Sequence, residues 1–144
     1  MTRNEPPRHS VSVAAVIVND ADQVLAVERR DNGHWEPPGG VLELAESIED
    51  GLLREVREET GLDVTIEALT GAYKNLPRGI VALVFRCRPV SGRLATSAET
   101  AQIRWLTRDE VRDAMDEAYA VRVLDALDDG PPHIRTHDGR SLIA

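Results

Sequence analysis

The sequence predicts a layered α/β or α+β domain in which strands outnumber helices. Three observations carry that expectation. Segments with strand and helix patterning alternate along the chain, so sheets and helices must bury their apolar faces against one another. The length, 144 residues, suits a single domain that buries roughly two-thirds of its unfolded surface without disulfides or a structural metal. A composition of 42% hydrophobic and 29% charged residues excludes a fibrous or wholly disordered chain. Residues 1–9 are expected to form a flexible arm, residues 10–127 the domain, and residues 128–144 an extended surface tail.

The elements follow in order. Pro6-Pro7 opposes regular structure in the arm. Residues 10–18 are rich in β-branched side chains, and residues 24–28 form a second short apolar segment. Asn19-Asp20-Ala21-Asp22 lies between them with turn chemistry, so a β-hairpin is expected. Residues 31–40 read as a loop, carrying Asn32-Gly33 and then Pro37-Pro38-Gly39-Gly40. The helix over 48–60 is the best signposted: Ser47 caps it, Ile48, Leu52 and Val56 recur every four residues, and Gly61 stops it. Residues 62–72 and 101–106 read as strands, and residues 79–88 as a stronger one. Thr107 with Glu110 makes a capping box for a helix running to about Met115. Residues 118–127 continue helical, with Val121, Leu124 and Leu127 on one side.

Composition narrows the function classes. The longest apolar runs are six residues, at 13–18 and 80–85, whereas a spanning helix needs ~20, so no membrane helix is encoded. The N-terminal residues have no long apolar segment behind their charges, so no secretory signal is expected. A lone Cys87 fits a reducing compartment, and a cytoplasmic location is the working expectation. The net charge of −8 and the five aromatic residues disfavour a long nucleic acid partner, which needs basic surface and stacking platforms. A small phosphorylated ligand remains compatible if something cationic stands between its phosphates and the protein's carboxylates.

The segment 39–62 holds seven carboxylates, Glu43, Glu46, Glu49, Asp50, Glu55, Glu58 and Glu59, against two arginines. At ~100° per residue, Glu55 and Glu59 fall along the edge of the Ile48–Leu52–Val56 stripe, with Glu58 on the neighbouring flank. Like charges four apart destabilise a helix by a few tenths of a kcal/mol, and a mid-helix Gly51 adds up to ~1 kcal/mol relative to alanine. Such costs gathered in one place fit a bound divalent cation, and oxygen-only ligands point to Mg²⁺ or Mn²⁺ rather than zinc. Arg54, adjacent to Glu55 and four before Glu58, is placed to pair with either. A solvated acidic face is the rival reading of the same residues.

These residues match a family. Gly40, Glu46 and then Arg54-Glu55-Val56-Arg57-Glu58-Glu59-Thr60-Gly61-Leu62 resemble the Nudix box at all nine defined positions over 23 residues. Trp35-x-x-Pro38-Gly39-Gly40 is similar to the segment that commonly precedes the box. Glu99, Trp105 and Asp109-Glu110-Val111 resemble the family's late strand and following helix. Pro37, where a larger apolar residue is usual, and Ala45, where glycine is frequent, depart from the pattern without touching a ligand position.

The resemblance implies an α/β/α sandwich with a mixed sheet. It implies Mg²⁺-dependent hydrolysis of a pyrophosphate bond in a nucleoside diphosphate linked to another moiety, of the (d)NTP, oxidised-nucleotide or ADP-ribose/nucleotide-sugar type. Metal ligands would be Glu55, Glu58, Glu59 and the Gly39 carbonyl. Glu55 and Glu99 are candidates for the general base, Arg54 would orient Glu55 and Glu58, and Glu46 would stand behind the metal ligands. Arg29 and Arg86 are candidate phosphate contacts, and Trp35 a candidate base-stacking residue. Tyr73-Lys74-Asn75 is expected in a specificity loop before Pro77. A homodimer is an expectation of the resemblance alone. The alternative is a non-catalytic Nudix domain that binds a nucleotide metabolite as a sensor.

Overall fold

A computed structural model of the chain describes residues 5–143. Residues 1–4 of the expected arm lie outside the described residues, and residues 5–9 precede the first strand without regular structure. Eight strands and three helices follow: β1 (Ser10–Ile17), β2 (Val24–Arg29), β3 (Trp35–Glu36), β4 (Gly39–Val41), α1 (Ile48–Thr60), β5 (Leu62–Asn75), β6 (Ile80–Gly92), β7 (Thr100–Leu106), α2 (Arg108–Ala114), α3 (Glu117–Ala126) and β8 (His133–His137).

The strands form a five-stranded mixed sheet, β4-β1-β6-β5-β8, and a three-stranded antiparallel sheet, β3-β2-β7. In the larger sheet β1 runs parallel to β6 and β5 parallel to β8, while β4–β1 and β5–β6 are antiparallel. The architecture is thus a single α/β domain. A strand buried on both faces needs an unbroken apolar run, and β1 supplies one. Val13, Ala15 and Ile17 pack with Leu52 and Val56 of α1, whereas Ala14 and Val16 pack on the opposite face with Val111 of α2 and Val123 of α3. Among the described residues, no helix is long and apolar enough to cross a membrane.

Five sequence expectations change. The turn over residues 19–23 forms, with Asn19 Oδ1 accepting from the N–H groups of Ala21 and Gln23 at 3.0 and 2.9 Å. The hairpin beyond it does not: only Val18 and Val24 bridge, and the two strands part into different sheets. Both edges of β1 are already taken, by β4 and β6, so β2 has to pair elsewhere. Residues 31–40 are not all loop, since β3 and β4 lie within them. Tyr73, Lys74 and Asn75 are not in a loop either; they end β5, held between β6 and β8.

The tail differs most. Its residues 133–137 pair with Gly71–Asn75 as the last strand of the main sheet, and His137 is only 1% exposed. On α3 the inward face carries Ala118, Arg122, Val123, Asp125 and Ala126, while Val121, Leu124 and Leu127 are half-buried. The apolar stripe misled because an arginine and an aspartate hold the deeper positions.

Candidate active site

Helix α1 is held at both ends as its sequence requires. The Ser47 hydroxyl accepts from the Asp50 N–H at 3.1 Å, and Gly61 closes the helix in the left-handed conformation, φ 79°. Leu52 and Val56 are fully buried, which fixes the rotation of the helix and sets Glu55 and Glu59 at the border of its buried face. Strand β4 crosses that border. A Cβ on Gly40 would meet the Glu55 carboxylate at 2.5–2.6 Å, so only glycine lets strand and carboxylate approach so closely. Gly51 makes similar room for Glu46, whose Oε1 would lie 2.9 Å from a Cβ there. The apparent helix defect is therefore a packing requirement.

Arg54 ties the acidic residues together. Its guanidinium donates to both Glu46 oxygens at 2.7 and 2.9 Å, to Glu55 Oε1 at 3.0 Å and to Glu58 Oε2 at 3.2 Å. Those hydrogen bonds and the Glu43 N–H hold Glu46 down at about 2. Glu46 is thus fully engaged behind the cluster. Glu55 is pushed above its ordinary value by burial, against the pull of Arg54, with Glu58 and Glu99 adding repulsion. Glu59 is pushed up furthest, to about 8, by burial and by Glu55, with Glu36 and Glu99 adding to it and the Gly39 amide opposing.

The structure therefore brings Gly39, Arg54, Glu55, Glu58, Glu59 and Glu99 to one place. It also adds Glu36, which the sequence reading passed over as a spacer between Trp35 and Pro38. Burial raises the Glu36 carboxyl while Arg29 lowers it across a 3.3 Å ion pair. An acid beside the glycine-rich turn was the available signal. Its inward position was not visible until β3 was seen to pair with β2.

The three substrate candidates fall in different surroundings. Arg29 pairs with Asp31 and reaches the rim of the cluster through Glu36. Trp35 is half-buried on β3 and lines, with Gly33, His34, Ala114, Asp116 and Tyr119, a small cleft of about 80 Å³. The Arg104 guanidinium lies 5.9 Å from its ring centre. Arg86 is committed elsewhere, to Glu67 at 3.1 Å and to the Ala126 carbonyl at the end of α3 at 3.1 Å.

Among the described residues no three acidic or metal-ligating side chains already converge around a single point, because Arg54 is threaded between them. The donor set nevertheless fits a hard dication. It is all oxygen, partly desolvated and short of positive charge, and the Glu59 shift records that shortage.

Acidic oxygens set on a capped helix, under a glycine-rich strand of an α/β fold, make an oxygen-only donor set. The model of the NUDIX domain matches residues 8–127, and the chain belongs to the Nudix hydrolase family. It is 59% identical over 138 residues to a MutT-like protein of Streptomyces ambofaciens, covering 96% of this chain and 90% of that one. It is 38% identical over 103 residues to an 8-oxo-dGDP phosphatase of Homo sapiens, covering 67% of this chain but 32% of the relative. An ADP-ribose pyrophosphatase of Methanocaldococcus jannaschii is 34% identical over 92 residues, covering 59% of this chain and 54% of the relative. The fold matches the crystal structure of an ADP-ribose pyrophosphatase from Streptococcus suis with a TM-score of 0.73 and 24% identity, covering 90% of this chain and all of that one.

Proposed function

We propose that the protein hydrolyses a pyrophosphate bond in a nucleoside diphosphate linked to another moiety, with Mg²⁺ or Mn²⁺ as cofactor. The observation that carries this reading is the arrangement of the acidic cluster. Arg54 donates to Glu46, Glu55 and Glu58, Gly40 lies close against the Glu55 carboxylate, and Glu59 is half-buried beside them with its carboxyl pushed up, a donor set that a dication with a polyphosphate would complete. Glu55, Glu58, Glu59 and the Gly39 carbonyl would hold the ion. When bound, the ion screens phosphate charge and acidifies water, the two needs of phosphoryl chemistry.

The chain's own groups do the rest. Arg54 fixes the carboxylates of Glu55 and Glu58 so that both face the same volume. Glu55 or Glu99 accepts the proton of the attacking water, Glu99 being near enough to repel both Glu55 and Glu59. Arg29 contacts a phosphate at the rim, and Trp35 stacks on the base at the mouth of the cleft it shares with Tyr119. Arg86, as the third contact, would have to release Glu67 to reach a substrate. Two of the relatives above are named for 8-oxo-dGDP and for ADP-ribose, and oxidised guanine nucleotides and ADP-ribose are the two substrate classes we favour. A buried lone thiol and the net charge of −8 suit a reducing cytoplasm and a small soluble ligand.

The test is nucleoside monophosphate release from deoxynucleotides, oxidised nucleotides, ADP-ribose, dinucleoside polyphosphates and nucleotide sugars, with Mg²⁺ and with a chelator. Turnover of one class that stops in the chelator is the expected result. A thermal shift with a nucleotide and no release from any compound would instead identify the sensor.

A further inference from the structure

Glu99 lies outside the catalytic helix, in a short irregular segment just before β7, so something has to hold it there. The β2–β7 ladder does not. Its register shifts between Glu28 and Arg29, where pairing passes from Gln102 to Thr100. At that break Arg30 takes over. Its backbone N–H donates to the Glu99 carbonyl at 2.9 Å. Its side chain then closes on the same segment: Nε to the Ala98 carbonyl at 3.0 Å, and Nη2 to the Thr100 carbonyl at 3.0 Å and the Ser97 carbonyl at 3.4 Å.

Arg30 thus contacts four consecutive carbonyls about Glu99 across a sequence separation of 67 to 70 residues. The segment's own bonds are few and short-range: Glu99 N–H to Ser97 Oγ at 3.2 Å and Thr100 N–H to Ser97 O at 3.3 Å. Arg30 is exposed, so its loss would unpack no core. A planar fork spreads its donors over several carbonyls in a fixed geometry, whereas an ammonium offers its three from a single point.

We propose that Arg30 is the positioning residue that sets Glu99 for proton acceptance. This rests on the reading of Glu99 as a general base. Small displacements of a reacting group cost large factors in rate, so the effect falls on kcat.

The experiment compares Arg30→Gln, Arg30→Lys, Glu99→Gln and the Arg30→Gln/Glu99→Gln double variant, with ADP-ribose and 8-oxo-dGTP plus Mg²⁺ as probes. Thermal midpoints and amide hydrogen exchange over residues 96–101 are read alongside. Arg30→Gln is expected to lower kcat about tenfold or more, with KM within about twofold and faster exchange in the segment. Arg30→Lys, which keeps length and charge and guards against a folding defect, should behave like Arg30→Gln. In the Glu99→Gln background, Arg30→Gln should remove less than about a further twofold, because the two act through one carboxylate. Wild-type kcat in Arg30→Lys, or independent multiplying effects, would overturn the proposal while leaving Glu99 in place. Wild-type kcat in Glu99→Gln would overturn the reading of Glu99 first, and the proposal with it.

Discussion

Two clusters of charge lie on opposite sides of the main sheet, and they are balanced differently. Beneath α3, Asp125 is 5% exposed, yet its carboxyl sits below its ordinary value. Burial pushes it up, but a bidentate bond from Arg135 at 2.7 and 2.8 Å and the Tyr73 hydroxyl at 2.7 Å outweigh that. Against α1, Glu59 receives no comparable help and rises to about 8. The first cluster is closed by the protein alone, whereas in the second the carboxylates repel one another. Buried ions need partners, which is why we propose the second cluster as the ligand site.

The largest effect that could break this contrast lies in the acidic helix. Glu58→Gln and Glu59→Gln should each lower Mg²⁺-dependent turnover by about two orders of magnitude or more while circular dichroism stays native. Near-wild-type rates in both would show that these oxygens hold no catalytic ion. Next comes the closed cluster. Asp125→Ala strands Arg135 and the Tyr73 hydroxyl and should cost about 3–5 kcal/mol in denaturant unfolding, with turnover per folded molecule little changed. A loss below about 1 kcal/mol would mean that the network is incidental.

The smallest effect is one of pH. The folded state favours the neutral Glu59 carboxyl, whose pKa is raised from 4.5 to about 8. Its contribution to stability is therefore complete below about 4.5 and lost as pH climbs through about 8. In a chelator the thermal midpoint should fall by several degrees between about pH 6 and about pH 9, and Glu59→Gln should flatten the fall. Equal slopes in the two proteins would place the titration elsewhere.

What was legible in the sequence is what local rules decide. The Ser47 and Gly61 caps, the Leu52–Val56 stripe and the Thr107–Glu110 capping box all depend on neighbours within four residues. Helical spacing sets Glu55, Glu58 and Glu59 near one another, but only the resemblance to the Nudix box singles them out from a solvated acidic face. Glu36 was not, because its inward position depends on β3 pairing with β2. Nor was the partnership of Tyr73 with Asp125, 52 residues apart, or the burial of Arg122 beside His137 at 3.1 Å. Polar residues on an inward face defeat a reading based on hydrophobic period. Arg122 instead rests between the Tyr73 and Tyr119 rings, 5.3 and 4.7 Å away, where its charge is met by π faces. The hairpin failed on competition, since β1 could not accept a third neighbour.

The matched span stops at residue 127, but the main sheet does not. Strand β8 carries Arg135 and His137 to Asp125 and Arg122, the two buried charged residues of α3, and covers the outer rim of β5. A gene trimmed to the matched span would leave an unprotected strand rim at residues 71–75, open to pairing between molecules, together with two deserted side chains on α3. Anyone preparing this enzyme should treat residues 133–137 as the keystone of the sheet.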